Sequence, residues 1–186
     1  MSVQVERWCF TVAEYHRMME SGILSEDDRV ELIEGEIIKM SPIGSRHASC
    51  VKRLNNLLNH AVGQTAIVGV QDPVRLDEYS EPQPDIALLR PRNDFYAHSH
   101  PTPDDMLLII EVADTSVEYD RDVKLPLYAQ AGIPEVWLVN LIRDAVEAYS
   151  QPVNGAYQMV REFQHGGTLT PETLPQVAFN VEDVLG

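Results

Sequence analysis

The chain has 186 residues, and this length leads us to expect a single domain over residues 1–186. Its 14 Lys and Arg against 29 Asp and Glu give a formal net charge of −15, which disfavours general binding to polyanions. The hydrophobic share of 44% argues against wholesale disorder, and no apolar run approaches the roughly 18 residues of a membrane helix. The N-terminus lacks the apolar core of a signal peptide, so we expect a cytoplasmic protein. Two distant cysteines argue against a disulfide framework and a thiolate zinc site.

The first predicted elements are a short helix, a hairpin and a longer helix. A Thr-x-x-Glu capping pattern followed by a glycine predicts a helix over residues 11–21. Apolar residues on both sides of Gly35 predict a hairpin over 29–40, with the glycine in the tight turn. Apolar residues at helical spacing predict a helix over 45–62 with one polar face.

Short apolar segments predict the strands that follow. We expect strands at about residues 66–70, 74–76 and 85–89. The segment 107–113 is almost continuously apolar, which favours a strand buried on both faces of a central sheet.

A third helix is predicted over residues 120–131, where a glycine and then a proline end it. Because Pro126 is tolerated only in the first turn of a helix, we expect the helical start near Val123. The apolar segment 136–140 predicts another buried strand.

The C-terminal segment predicts a hairpin and a packed tail. Strands over 145–149 and 157–163 flank an Asn-Gly turn, and the tail 174–185 is expected along the edge of the sheet. This order of elements predicts an α/β fold with a mixed sheet.

Two carboxylates lie beside apolar strands, where an unpaired charge is costly. Glu111 follows four apolar residues, and Asp85 precedes another apolar segment. A buried ionised carboxylate is destabilising unless it is paired or binds a cation. Two such groups at the ends of neighbouring strands indicate a hard-oxygen site for Mg²⁺ or Mn²⁺. The alternative is that each carboxylate pairs with Arg or Lys, or caps a turn.

Other charged residues are candidates for the same site. Lys124 lies on the helix after the Glu111 strand and can return toward the end of that strand. Glu31 and Glu34 lie in the predicted hairpin, where Glu34 is equally well explained as an exposed turn acid. His47 lies in the first turn of a helix, where a hydrogen-bonding role is as plausible as a catalytic one.

A local excess of positive charge points to a candidate nucleic-acid surface. Residues 37–71 contain no acid, and the helix within them carries Arg46, His47 and Arg53. We expect these three residues to contact DNA, and the alternative is an ordinary solvated helix face.

Five segments of the chain, in this order, resemble the Uma2 family. They are residues 29–36 (RVELIEGE), 40–42 (MSP) with His47, 82–86 (PQPDI), 111–112 (EV), and 120–128 (DRDVKLPLY) with 131–139 (AGIPEVWLV). The resemblance extends over approximately residues 10–185. The Uma2 family is grouped with the PD-(D/E)xK restriction-endonuclease-like superfamily.

This resemblance implies a mixed central sheet flanked by helices, with an N-terminal helix and hairpin. It also implies that Asp85, Glu111 and the carbonyl of Val112 hold Mg²⁺ or Mn²⁺. The superfamily lysine usually lies two residues after the second acid, where this chain has Ala113, and Lys124 resembles a migrated replacement.

The implied function is a Mg²⁺-dependent endonuclease that hydrolyses DNA phosphodiester bonds. Asp85, Glu111, Lys124 and Glu31 would form its catalytic group, with the metal activating a water and Lys124 positioning it. DNA is the expected partner, no membrane contact is expected, and a homodimer is left open. Two alternatives remain: a catalytically silent binding or assembly module on this fold, and a metal-dependent hydrolase with another substrate.

Overall fold

The computed structural model describes residues 7–25 and 27–186. Its first elements are a capped helix, a hairpin and a long helix, close to the predicted positions. They are α1 (Val12–Glu20), β1 (Val30–Ile33), β2 (Glu36–Lys39) and α2 (Ser45–Val62). The predicted cap of α1 is confirmed, because the Thr11 hydroxyl accepts a hydrogen bond from Glu14 N and Thr11 N donates to the Glu14 carboxylate.

The turn between β1 and β2 depends on backbone conformations that favour glycine. Glu34 and Gly35 have φ angles of 49° and 80°, as a two-residue hairpin turn requires. Gly35 also donates to Tyr79 O at 2.8 Å and accepts from Phe10 N at 2.9 Å. A Cβ atom on Gly35 would lie 2.6 Å from the Cβ of Cys9, so only glycine fits this close approach. These contacts fix the position of β1.

A six-stranded mixed sheet occupies the centre of the fold. Its strands are β3 (Ile67–Val70), β4 (Ile86–Leu89), β5 (Met106–Ala113), β6 (Glu135–Asn140), β7 (Ala145–Val153) and β8 (Ala156–Phe163). They lie side by side in chain order, and every neighbouring pair is antiparallel except β5 and β6, which are parallel. The predicted mixed sheet is confirmed.

Alternate residues of β5 face two different apolar layers. Ile110 and Val112 pack in the layer that contains the buried side chains of α2. Ile109 and Ala113 pack in the opposite layer with Tyr128. Glu111 therefore points from the centre of the sheet toward the second layer, because side chains alternate along a strand.

The helix after β5 begins earlier than predicted and contains an irregular turn. It consists of α3 (Val117–Tyr119), a π-helical turn (Asp120–Lys124) and α4 (Leu125–Gln130). Leu125 N donates to Asp120 O, five residues earlier. Pro126 has no N–H, and its ring would crowd the carbonyl four residues earlier in a regular helix, so the proline disfavours continuous α geometry here. The predicted start near Val123 is thus wrong, although Pro126 does lie in the first turn of α4.

Two other predictions concern loops and the tail. Residues 74–76 do not form the predicted strand, because their N–H groups bond to the loop carbonyls of Pro82, Pro101 and Ser80 instead of a neighbouring strand. The tail contains β9 (Thr168–Leu169), β10 (Phe179–Asn180) and α5 (Val181–Leu185), and α5 packs against α2. None of the helices in the described part of the chain is long and apolar enough to cross a membrane.

We predict that Gly35→Ala destabilises the protein more than Gly22→Ala. Both glycines have positive φ angles, of 80° and 76°, so alanine costs about 1–2 kcal/mol at either position. Only Gly35 would also place its new Cβ against Cys9, which adds about 1–3 kcal/mol of overpacking. The free energies of unfolding from denaturant titration test this, and equal losses would contradict it.

Candidate active site

The antiparallel pairing of β4 and β5 brings Asp85 and Glu111 together. Ile86 is paired with Ile110, so the residue before β4 lies opposite Glu111 near the end of β5. Asp85 N lies 3.4 Å from Glu111 Oε2. Val112 N donates to Asp85 Oδ2 at 2.9 Å, which holds this carboxylate at the edge of the sheet.

Asp85 also accepts hydrogen bonds from two side chains of other elements. His47 Nε2, in the first turn of α2, is 2.9 Å from Asp85 Oδ2, and Gln71 Nε2 is 3.0 Å from Oδ1. Burial opposes the charge on Asp85, but the bonds from His47, Val112 and Gln71 outweigh it and lower the pKa of Asp85 below its ordinary value. The hydrogen bond to Asp85 in turn raises the pKa of His47, against the opposing effect of burial. The charged forms of both groups are favoured.

Glu111 lies in a drier environment than Asp85. Burial, reinforced by the negative charges of Asp120 and Asp85, raises the pKa of Glu111 to about 8 despite the opposing charge of Lys124. Its Oε1 atom accepts hydrogen bonds from Lys124 Nζ at 3.2 Å and from Tyr128 OH at 2.6 Å. Its Oε2 atom faces Asp85 N at 3.4 Å.

Lys124 is held between two carboxylates. Its ammonium lies 3.2 Å from Glu111 Oε1 and 3.3 Å from Glu31 Oε2. Burial disfavours the charged ammonium, but the surrounding carboxylates outweigh this effect and raise the pKa of Lys124. The π turn thus ends at a buried, charged lysine that contacts both β5 and the hairpin.

Glu31 belongs to this cluster, whereas Glu34 does not. Glu31 is buried on β1, where it accepts hydrogen bonds from Gln83 N at 3.1 Å and from Tyr119 OH at 3.3 Å. Glu34 is exposed in the hairpin turn, which matches the alternative given for it above. Residues 31 and 34 are therefore separated by the hairpin geometry.

A cavity of about 400 Å³ opens onto these groups, and its buried lining is rich in negative charge. Glu31, Glu111 and Asp120 are buried, and Asp85 is largely so, while Lys124 is the buried cation among them. Burial raises the pKa of Asp120, even though Lys124 and a hydrogen bond from Ser116 oppose this. Five carboxylates line the cavity, including the half-buried Asp114, against the cations Arg29, Lys39 and Lys124 and the histidine His47. Negative charge is concentrated among the buried groups, where Glu111 keeps a proton below its pKa of about 8 and a bound cation would favour its ionised form.

The donor atoms of the cavity suit a hard divalent cation. Asp85 and Glu111 supply carboxylate oxygens, and among the described residues Glu111 Oε2 has only the long contact with Asp85 N. Within residues 7–25 and 27–186, no third His, Cys, Asp or Glu ligand atom joins these two within 4.8 Å of both. Mg²⁺ is compatible with such a site because it commonly keeps several waters beside one or two carboxylates. Val112 also lines the cavity.

The three residues predicted to contact DNA lie in different environments. His47 lines the cavity and bonds to Asp85. Arg46 is exposed and forms an ion pair with Asp144 at 2.9 Å. Arg53 donates to the carbonyls of Val184 and Leu185 and so fastens α5 to α2. Part of the polar face of α2 therefore makes contacts within the protein, through His47 and Arg53.

Several polar residues of the site were missed in the sequence. Tyr128 and Asp120 had a detectable signal, because they lie four residues after and before Lys124 and so share a helix face with it. Gln71 had none, since it reaches Asp85 through a left-handed backbone conformation (φ 56°) at the end of β3. Tyr119 reaches Glu31 only through the packing of α3 against the hairpin.

The fold and this cluster define a class of mixed α/β proteins with acids and a lysine gathered at the edge of the sheet. A family model described as "Uma2: Putative restriction endonuclease" matches residues 12–182, and the chain belongs to this family.

A solved structure supports the same fold. The crystal structure of a putative nuclease belonging to DUF820 from Anabaena variabilis superimposes with a TM-score of 0.71 and 16% sequence identity, covering 95% of this chain and 97% of that one. The expected α/β fold is thereby confirmed. No curated protein matches the chain.

We predict that Glu111 makes the metal-free protein less stable as pH rises. Its pKa is about 8 in the folded chain against an ordinary 4.5, so the folded state retains a proton that the unfolded chain releases above pH 4.5. The free energy of unfolding should therefore fall as the pH rises from about 4.5 to 8. One pKa unit corresponds to about 1.4 kcal/mol and the shift exceeds one unit, so the fall should exceed that value.

Denaturant titrations in EDTA across this pH range measure the effect. Glu111→Gln should flatten the fall, while Glu34→Gln, at the exposed turn, should leave it unchanged. Parallel curves for the wild type and Glu111→Gln would show that Glu111 does not titrate in this window.

Proposed function

We propose that the protein is a Mg²⁺-dependent phosphodiesterase that cuts DNA at this cavity. The observation that carries the proposal is the excess of buried carboxylates around one lysine, in a cavity open to an incoming substrate. Buried acids without enough partners are destabilising, and proteins retain them where a cation or a reaction requires them. Membership of the family described as "Putative restriction endonuclease" supports the same chemistry.

Asp85 and Glu111, with the carbonyl of Val112, would hold the ion. When bound, Mg²⁺ would supply Lewis-acid catalysis to a phosphoryl oxygen and increase the acidity of a water. Asp85 is prepared for this role because His47, Gln71 and the Val112 amide fix its orientation.

Lys124 would position the attacking water and offset the negative charge that develops on the phosphate. Its ammonium already lies within hydrogen-bond distance of Glu111, so it faces the same space as the proposed metal ligands. Glu31 would orient Lys124 from the other side, and Tyr119 holds Glu31 in turn. Glu31 is thus a positioning residue rather than a metal ligand in this proposal.

A catalytically silent binding module is the second candidate, and one observation favours it. Lys124 already contacts both Glu111 and Glu31, and this closed ion cluster can stabilise the fold without any metal. The net charge of −15 also disfavours free-standing DNA binding. The two candidates predict different results in a DNA cleavage assay, because only the phosphodiesterase has an activity that the loss of Lys124 can lower.

We predict that Lys124→Ala lowers DNA cleavage by about 10²-fold or more, the scale seen when one electrostatic stabiliser is lost. Mg²⁺ binding should be retained or become tighter, because the mutation removes a positive charge beside the site. Asp85→Asn should lose both Mg²⁺ binding and cleavage, since it removes a ligand charge. Calorimetric titration with Mg²⁺ and a plasmid nicking assay measure the two properties.

Lys52→Ala is the matched control, because Lys52 is an exposed lysine of α2 away from the cavity lining. Cleavage by Lys124→Ala equal to that of Lys52→Ala would overturn the assigned role of Lys124. A wild type that binds Mg²⁺ but leaves every DNA form intact would favour the silent module or a hydrolase with another substrate. If one binding event converts the plasmid directly to the linear form, without a nicked intermediate, two copies of the chain act together.

Arg46 gives a separate prediction about DNA binding. Asp144→Ala releases this exposed arginine from its ion pair, so DNA affinity should rise and the slope of log K against log salt should steepen by about one unit. Arg46→Ala should change both quantities in the opposite direction. Fluorescence anisotropy with a DNA duplex over a range of salt measures both.

The double variant separates release of Arg46 from simple removal of a negative charge. Asp144→Ala in the Arg46→Ala background should give little gain in affinity. If the gain persisted there, this part of α2 would not be a DNA contact.

A further inference from the structure

A second cluster of metal-binding side chains lies outside the cavity. His16, Glu81 and His100 each place one potential ligand atom within 4.8 Å of the other two, and no other trio in residues 7–25 and 27–186 does so. His16 Nε2 lies 2.6 Å from Glu81 Oε1, and the rings of His16 and His100 are 5.9 Å apart, edge to face. Three distant parts of the chain thus converge on one point.

Glu81 is the unusual member of this cluster. It is only 2% exposed, and its Oε2 atom is buried without a hydrogen-bond partner among the described residues. A buried carboxylate oxygen without a partner is destabilising. The carboxylate of Glu81 therefore lacks one partner, and a cation bound to this group would offset the cost of burying it.

Each of the three residues is fixed by the backbone around it. His16 lies within α1. Glu81 N donates to Leu32 O at 2.8 Å, in an isolated bridge to β1. His100 precedes Pro101, whose carbonyl accepts from Arg75 N at 2.9 Å. The cluster is consequently held together before any ligand is added.

The ligand set indicates which ion would bind. Two imidazoles and one carboxylate suit Zn²⁺ and similar transition metals, whereas Mg²⁺ prefers an all-oxygen site. Three protein ligands also leave a fourth position of a tetrahedral ion to water. The partial exposure of His16 and the exposure of His100 give an ion a route to the buried carboxylate.

We propose that His16, Glu81 and His100 form a zinc site that fastens α1 and the loop before β5 onto the segment leading to Asp85. The ion would take the place of the hydrogen bond between His16 Nε2 and Glu81 Oε1, and the proton of that bond would pass to His16 Nδ1 or to solvent. The separation of these two ligand atoms would then widen from 2.6 Å to about 3.4 Å, which follows from zinc–ligand bonds of about 2.1 Å at a tetrahedral angle. His100 needs only a side-chain adjustment, since all three atoms already lie within 4.8 Å of one another.

The site also has a structural consequence for the cavity. Glu81 lies four residues before Asp85, and Gln83, between them, donates its N–H to Glu31. A zinc ion on Glu81 would hold this short segment at one end while Glu31 and Asp85 hold the other. Zinc at this position therefore acts on the fold around the cavity and does not take part in the proposed phosphodiester chemistry.

The test uses zinc binding and leaves nuclease activity aside. The full chain, stripped with EDTA and dialysed at pH 8, is titrated with Zn²⁺ and with Co²⁺ in the Asp85→Asn background, which disables the cavity site. We expect one ion per chain, visible absorption typical of tetrahedral Co²⁺, and a rise in melting temperature with Zn²⁺. Mg²⁺ should produce none of these effects.

His16→Ala, His100→Ala and Glu81→Gln should each weaken zinc binding by more than the 10–100-fold that loss of an outer-shell partner costs. His98→Ala is the matched control, since His98 lies exposed on the same loop but outside the cluster, and it should bind zinc as the parent does. Glu81→Gln preserves the shape of the side chain and should not lower the melting temperature in EDTA, which separates loss of a ligand from misfolding. Equal zinc affinity in His98→Ala and His100→Ala, or no zinc binding at all, would overturn the proposal.

Discussion

The buried contact of Lys124 with Glu111 and Glu31 is the interaction on which the rest of the site depends. It joins the central strand β5, the helix that follows it and the hairpin β1–β2 at one point. A charged lysine in a dry environment is tolerable only because carboxylates surround it, and the acids are tolerable only because the lysine is present. Removing one partner of such a buried pair typically costs about 3–5 kcal/mol.

The irregular helix between β5 and β6 delivers Lys124 to this contact. A π turn precedes Pro126, and it ends at Lys124, so that the ammonium points back at the sheet. π turns are uncommon and often occur where a side chain must be directed into a functional site. The π turn before Pro126 thus places Lys124 where its ammonium contacts Glu111 on β5.

The segment before β4, residues 81–85, connects the cavity with the histidine cluster. Glu81 faces His16, Gln83 binds Glu31, and Asp85 meets the end of β5. Every second residue of this segment therefore contributes to a polar contact. This short segment therefore joins the cavity and the histidine cluster through four residues of chain.

The sequence by itself determined most of the elements and the principal charged residues. Helix α2, the two hairpins and the buried strand β5 follow from apolar period and turn residues, which are local properties of the chain. Asp85 and Glu111 were identifiable because a carboxylate next to an apolar strand conflicts with its surroundings. The pairing of Lys124 with Glu111 could be anticipated from chain order, but its second contact with Glu31 could not.

Only the tertiary structure decided which polar groups meet. Gln71, Tyr119 and the trio containing Glu81 come from segments far apart in the chain, and nothing in their local sequence indicates their partners. The predicted strand at 74–76 failed for the same reason, because its N–H groups found loop carbonyls that no local pattern specifies. Local propensity depends on neighbouring residues, whereas hydrogen bonding and charge pairing depend on which distant groups the fold brings within about 3 Å.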